Sequence, residues 1–276
     1  MDLYAALGLE QEPFSTTADP AFMYASKEHR EALLRLQLSL RQRRGLNVVV
    51  GDIGVGKTTL CRKLHEEIVR EEGYHIQVID DPSFRSEYQF IAYLLAAFGV
   101  ERRGRSAYDL KECFRNFLLE TAERDDTVIL LIDEGQILSP AFLEIIRMFL
   151  NFETDKFKLL QLVIFAQIEL LDRLRARRNF LDRIALRYIL NPLQEQEVAE
   201  MIGYRLTVAG FQGEKPLFTD DAIRAIYEAT GGLPRPITML CHNALEFIVL
   251  NERETVDSDV VDHCVEREAV FAAIPA

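Results

Sequence analysis

The segment Gly51-Asp52-Ile53-Gly54-Val55-Gly56-Lys57-Thr58, with Thr59 behind it, constrains the fold more than any other stretch of this chain. It follows the β-branched run Leu46-Asn47-Val48-Val49-Val50 and opens a helix-like stretch from Lys57 to Glu72. A strand that turns through glycines into a helix fits the pattern G-x-x-x-x-G-K-[ST]. In that pattern backbone N–H groups surround phosphates, the lysine reaches the β and γ phosphates, and the hydroxyl ligates magnesium. A merely structural turn has no use for a lysine followed by two threonines. The ligands expected are therefore ATP and Mg²⁺, with Gly51, Asp52, Ile53, Gly54, Val55, Gly56, Lys57, Thr58 and Thr59 around the phosphates. The helix N-terminus at Lys57 adds its partial positive charge.

About eighty residues on stands Val128-Ile129-Leu130-Leu131-Ile132-Asp133-Glu134. Alone it reads as a core strand ending in two solvated acids. Coupled to the glycine-rich segment, it places a carboxylate where magnesium must be held, so Thr58 and Asp133 are the expected metal ligands. Glu134 is one residue further along, where it can orient and deprotonate the attacking water. Its replacement by Gln should spare binding and abolish turnover.

Three more positions have the right chemistry. Gln167, at the end of an expected strand 159–165, carries a polar amide suited to the attacking water; the alternative is a strand-end cap. Charge also builds on the γ phosphate, which arginine answers with a planar fork of donors. Six arginines crowd residues 173–187. Arg173, Arg175 and Arg177 read as a solvated helical face. Arg183 and Arg187 bracket the turn into the last strand, where a finger reaching a neighbouring subunit's γ phosphate would sit. Arg235, in Gly231-Gly232-Leu233-Pro234-Arg235-Pro236, opens a helix and can sense that phosphate; the alternative is a surface residue after a turn.

The pattern along the chain is α/β. After a helix from 26 or 27 to 44, strands at 46–50, 74–80, 127–132, 159–165 and 185–190 alternate with helices at 57–72, 86–98, 107–124, 140–152 and 168–180. That alternation implies a parallel sheet flanked by helices. Past Asn191-Pro192 only helices follow, at 194–209, 219–229, 234–251 and 256–271. Three divisions are expected: an N-terminal arm over 1–25, a nucleotide-binding core over 26–191 and an all-helical lid over 192–276. With 49% apolar residues in 276, the chain can bury a substantial core. Its longest apolar runs fall far short of the ~20 residues that cross a bilayer. The N-terminus lacks the basic and apolar regions of a secretory signal, so the expected location is the cytoplasm.

Cys61, Cys113, Cys241 and Cys264 show no C-x-x-C spacing and read as buried reduced thiols. His242 and His263 adjoin two of them, but adjacent helical residues face different ways and make no zinc site. The net charge is −12, and six basic against fifteen acidic residues between 191 and 276 account for −9 of it. An acidic total disfavours tight non-specific DNA binding, although Arg102-Arg103-Gly104-Arg105 is locally basic.

Taken together these motifs resemble the AAA+ ATPases of the ExeA-like, general secretion pathway protein A family. The likeness covers nearly the whole chain. It includes Tyr4…Leu7-Gly8-Leu9…Pro13-Phe14, Asp19-Pro20…Phe22…Tyr24, His29-Arg30-Glu31-Ala32-Leu33, Gly56-Lys57-Thr58-Thr59-Leu60-Cys61-Arg62, Asp133-Glu134-Gly135-Gln136, Gln167…Glu169-Leu170 and Gly232-Leu233-Pro234-Arg235. The resemblance implies that Asp133 and Glu134 are Walker B residues, that Gln167 is at the sensor 1 position and that Arg235 is sensor 2. It also implies Arg183 as the arginine finger, with Arg187 the competing candidate. Family members often carry Ala where this chain has Gly135, a change expected to leave magnesium binding intact. Longer relatives continue into a transmembrane helix and a peptidoglycan-binding domain, so a chain stopping at Ala276 is expected to be a stand-alone ATPase or the cytoplasmic part of one.

The function implied is an ATP-driven assembly motor or switch, working as a homo-oligomeric ring or filament on a protein client of a secretion or envelope complex. Two other readings stand beside it: a DNA-binding regulator of transposition, for which Arg102–Arg105 would be the contact, and a slow nucleotide-dependent adaptor.

Overall fold

The computed structural model describes residues 3–17, 19–175, 178–213 and 215–272. In chain order they form α1 (Leu3–Ala6), a 3₁₀ turn at Pro20–Phe22, α2 (Lys27–Arg41), β1 (Leu46–Gly51), α3 (Lys57–Ile68), β2 (Tyr74–Ile79), α4 (Glu87–Ala97) and α5 (Ala107–Glu123). Then come β3 (Thr127–Ile132), a 3₁₀ turn at Gly135–Ile137, α6 (Pro140–Phe149), β4 (Leu160–Ala166), α7 (Glu169–Arg175), α8 (Arg178–Leu181) and β5 (Ile184–Leu190). The remainder is helical: α9 (Glu195–Val208), α10 (Asp220–Thr230), α11 (Pro234–Leu250) and α12 (Ser258–Ala272). The fold is α/β, as the alternation of patterns predicts.

One compact unit comprises Glu28–Ile53 and Leu60–Leu190. Its sheet is entirely parallel, in the order β2-β3-β4-β1-β5. Every residue of β1, β3 and β4 is buried, which is why these strands read as near-continuous apolar runs. β5 is an edge strand and alternates instead, exposing Ala185, Arg187 and Ile189. Its charged residue discourages further strand addition. Phe90, Phe114 and Phe149 pack from α4, α5 and α6 beneath the strands, with the Phe114 and Phe149 rings 5.0 Å apart. Two buried amides fix the strand starts: Asn47 Nδ2 donates to the Leu162 carbonyl at 3.3 Å, and Gln161 Oε1 accepts the Gly45 N–H at 2.7 Å.

The other unit groups the described residues of Met1–Lys27, Gly54–Thr59 and Asn191–Ala276. Val198, Ile202, Ile226, Ile237, Leu245 and Val261 of α9–α12 form its core. Leu9 and Phe14 belong to the same core, the Phe14 ring meeting Phe218 edge-on at 5.8 Å. Arg205 of α9 donates to the carbonyls of Pro13 and Ser15 at 3.3 and 3.4 Å, and burial lowers its pKa.

The thiol expectation needs one correction. Cys61, Cys241 and Cys264 are buried, but Cys113 is only half-buried because it lies on the flank of α5 and donates its Sγ proton to the Arg103 carbonyl at 3.3 Å.

Candidate functional site

Parallel strands deliver their ends to one edge, and that is how this sequence collects its chemistry. Gly51 ends β1, Asp133 and Glu134 follow β3, and Gln167 follows β4, all at the carboxyl edge of one sheet. The glycine-rich segment continues from Gly51 into α3, whose first residue is Lys57. Gly54 and Gly56 have φ of +83° and +105°, the left-handed region that glycine adopts without steric cost. Ile53 is 63% exposed, whereas Lys57 is buried, with Thr58 and Thr59 half-buried behind it. The Arg235 N–H, at the start of α11, donates to the Gly54 carbonyl at 3.1 Å. Its side chain is exposed.

The turn after β3 is the most constrained part of the site. Asp133 is 3% exposed, and its Oδ1 accepts the Glu134 N–H at 2.9 Å. Burial pushes the Cys61 thiol well above its usual pKa, and the charges of Asp133 and Asp80 push in the same direction. That thiol is inert chemistry beside the site. Glu134 has φ 50° and ψ 37°, a left-handed conformation in a non-glycine residue. Such a residue costs on the order of 1–3 kcal/mol and persists only where its surroundings over-determine it.

Those surroundings are visible. Gln136 Nε2 donates to Glu134 Oε2, while Gln136 Oε1 accepts the backbone N–H of Gln167 at 3.0 Å. Arg173 reaches back from α7 and donates to the carbonyls of Gln136 and Leu138. Gly135 is buried against β4.

Arg173 is therefore not part of a solvated face: it is half-buried and braces the turn that carries Glu134. Arg175 is exposed and pairs with Asp172 at 2.9 Å, as a solvated residue does. Arg177 lies outside the described residues. The amide of the Gln167 side chain has no hydrogen bond among the described residues; only its backbone is engaged. Nothing in the type or spacing of Gln136 and Arg173 marks them in the sequence as residues of this turn. The only signal for Gln136 was its place in Asp133-Glu134-Gly135-Gln136.

Arg183 sits at the other end of the sheet, one residue before β5. With Arg44, Glu153, Lys158 and Asp182 it lines an open cleft of 590 Å³ at the amino edge. Lys158 holds the Glu153 carboxyl below the usual range, and Arg183 adds to that. The six residues of β1 span roughly 20 Å at about 3.3 Å per residue, so Arg183 and the carboxyl edge of its own sheet are far apart. Arg187 lies within β5, exposed, its Nη2 held by the Leu181 carbonyl at 2.6 Å.

Residues 40–174 match the family model for the AAA domain. Those residues thus form an AAA domain. It is 35% identical over 241 residues to general secretion pathway protein A of Aeromonas hydrophila, an alignment covering 86% of this chain and 43% of that protein. The chain thus spans less than half the length of this relative. Solved structures share the fold. The Aeropyrum pernix ORC2 protein, solved as ADPNP-ADP complexes, superposes with a TM-score of 0.67 at 16% identity, covering 93% of this chain and 71% of that one. Cdc6p of Pyrobaculum aerophilum gives 0.67 at 19% identity, covering 93% and 74%. The Thermotoga maritima RuvB Holliday junction branch migration motor gives 0.57 at 19% identity, covering 86% and 68%. Among the described residues of this chain, no helix is long and apolar enough to cross a membrane.

Proposed function

We propose that this chain is a Mg²⁺-dependent ATPase whose nucleotide state drives its own oligomeric assembly. The observation that carries the reading is the gathering of Gly51, Asp133, Glu134 and Gln167 at the carboxyl edge of one parallel sheet, the edge where open α/β sheets bind ligands. The donor set fits magnesium. Among the described residues no three His, Cys, Asp or Glu side chains group to hold a metal ion. Magnesium asks for less: one or two carboxylates, with waters and phosphate oxygens completing its shell. Thr58 and Asp133 would hold it, and the ion would supply charge neutralisation at the β and γ oxygens.

In this reading Lys57 places its ammonium on the β and γ phosphates, and the N–H groups of Gly54 to Thr59 receive the remaining charge. Glu134 orients the attacking water and takes its proton. Gln167 presents its unengaged amide beside that water. Arg235 senses the γ phosphate from the start of α11. Arg183, too distant from its own chain's phosphates, serves a neighbouring copy.

Phosphate release measured with MgATP, and again with the metal chelated, tests the proposal. Turnover that needs the metal and disappears in Glu134→Gln, with fluorescent nucleotide still bound, is expected. Failure of Lys57→Ala to weaken nucleotide binding would overturn it. The likeness to general secretion pathway protein A supports a biological setting in which the chain works in the cytoplasm as an assembly motor or switch on a protein client of a secretion or envelope complex. Since it spans 43% of that relative, this setting is part of the proposal.

A second reading, as a DNA-binding regulator, has one observation in its favour. Arg102, Arg103 and Arg105 are all exposed on the α4–α5 connection, and among the described residues no ion pair engages Arg102 or Arg105. The connection is fastened by Asp109, which accepts the Arg105 and Ser106 N–H groups at 3.0 and 2.9 Å. Titrating a fluorescent duplex with ATP-loaded protein decides it: absence of salt-sensitive binding at low salt removes this reading.

A further inference from the structure

The turn after β3 contains a connection to which the proposed reaction has so far given no role. Gln136 uses its two amide atoms in opposite directions. Its Nε2 donates to the Glu134 carboxylate, and its Oε1 accepts the backbone N–H of Gln167, the residue that ends β4. One planar group thus ties the side chain of the residue after β3 to the main chain of the residue after β4.

The amide does not float between them. Arg173 donates to the carbonyls of Gln136 itself and of Leu138, fixing the backbone that carries the amide. Gly135 packs against Ile164, Phe165 and Ala166 of β4, so the turn cannot slide along that strand. Glu134 meanwhile is in the left-handed region. Its carboxylate direction is consequently set by a backbone conformation that must be held and by a hydrogen bond to Gln136.

We propose that Gln136 is a positioning residue: it aims the Glu134 carboxylate and couples that aim to the end of β4. A group that takes a proton from water works only within hydrogen-bond reach of it, and misplacement by about 1 Å costs up to a hundredfold. The amide is suited to the task because it donates to a carboxylate with one end while accepting from a backbone N–H with the other. When the Gln167 side chain engages a γ phosphate, any movement of its main chain passes through Gln136 Oε1 to the carboxylate. The inference rests on Glu134 acting on the water, as proposed above.

The isosteric variant Gln136→Glu separates the two arms. It retains an oxygen to accept the Gln167 N–H but loses the donor to Glu134 and sets two carboxylates side by side. In the full chain, kcat for MgATP is expected to fall tenfold or more, on the order of what misaiming a catalytic group costs. KM and the affinity for a fluorescent ADP analogue are expected to stay within about twofold, because phosphate-binding groups are untouched. Gln136→Asn, a shorter amide that retains both donor and acceptor, is expected to recover part of the loss; Gln136→Ala is not. An unchanged kcat in Gln136→Glu overturns the proposal, as does a loss shared equally by kcat and nucleotide affinity, which marks a merely structural role. If Glu134→Gln itself leaves turnover intact, the parent reading fails and this inference falls with it. An inactive Glu134→Gln beside a fully active Gln136→Glu sinks the positioning role alone.

Discussion

The backbone N–H of Arg235 donates to the carbonyl oxygen of Gly54 at 3.1 Å, which fastens the first turn of α11 to the glycine-rich loop. Gly54 has φ +83°, and a Cβ there would lie 3.0 Å from Cβ of Arg235 and 3.5 Å from Cδ of Pro236. Gly54→Ala therefore combines a left-handed alanine, at about 1–2 kcal/mol, with crowding of α11. Nucleotide affinity is expected to fall roughly tenfold, the equivalent of about 1.4 kcal/mol. Fluorescent nucleotide titration checks this, with Gly8→Ala as control. Gly8 also has positive φ but nothing within 4 Å of its Cβ position, so that variant should bind nucleotide normally.

Gly135 and Ile164 make a second close approach, this one without left-handed backbone. A Cβ on Gly135 would meet Cγ2 of Ile164 at 2.3 Å, with the Phe165 carbonyl oxygen at 3.2 Å. An alanine at this position therefore does not fit unless β4 gives way. Gly135→Ala is expected to cost about 1–3 kcal/mol from overpacking. Ile164→Ala alone should cost about 2–5 kcal/mol by leaving a cavity. Combined, the two changes should cost less than their sum, because the new methyl group occupies space the isoleucine vacated. Urea unfolding of the four proteins measures the coupling; simple additivity refutes the steric account.

These two contacts also show where reading the sequence stops. The β-branched run before Gly51 and the apolar run before Asp133 announce buried parallel strands, and the residues that follow them announce a phosphate and a metal. Those signals are local: a strand, a turn and a helix in the right succession. Gln136 and Arg173 act through tertiary contact, across thirty-one and thirty-seven positions of sequence. An arginine on a helix among other arginines looks solvated until its partner carbonyls are known. Leu9 and Phe14 raise the same difficulty, since a Gly- and Pro-punctuated segment hides that its apolar residues enter the core of a helical bundle.

Asp221, at the start of α10, accepts hydrogen bonds from Thr219 and from Ser258, the latter through its N–H at 3.0 Å. They hold its carboxyl down at about 2. Since the native pKa lies below the unfolded value of about 3.9, the stabilisation is complete above pH 4 and lost as pH falls toward 2. Asp221→Asn should accordingly lower Tm at pH 7, and the deficit should shrink as the comparison is repeated between pH 4 and pH 2. A deficit independent of pH excludes the linkage.

The distance between Arg183 and the carboxyl edge of its own sheet turns the question of the finger into one of geometry. Its cleft opens at the amino edge, so in the proposed reading it serves a γ phosphate on another copy, whereas Arg187 already spends its guanidinium on the Leu181 carbonyl. Arg183→Ala is expected to lose on the order of 10³-fold in kcat, as removal of an arginine finger does, while Arg187→Ala should lose little. Complementation decides whether the action is in trans. Arg183→Ala chains keep Glu134 but lack a finger, and Glu134→Gln chains keep the finger but lack the base. Each alone should be inactive. Mixed together, the first should hydrolyse ATP wherever a copy of the second presents Arg183, and activity should rise with total protein concentration. A mixture as inactive as its components, with assembly confirmed by light scattering, would show that Arg183 does not act across copies.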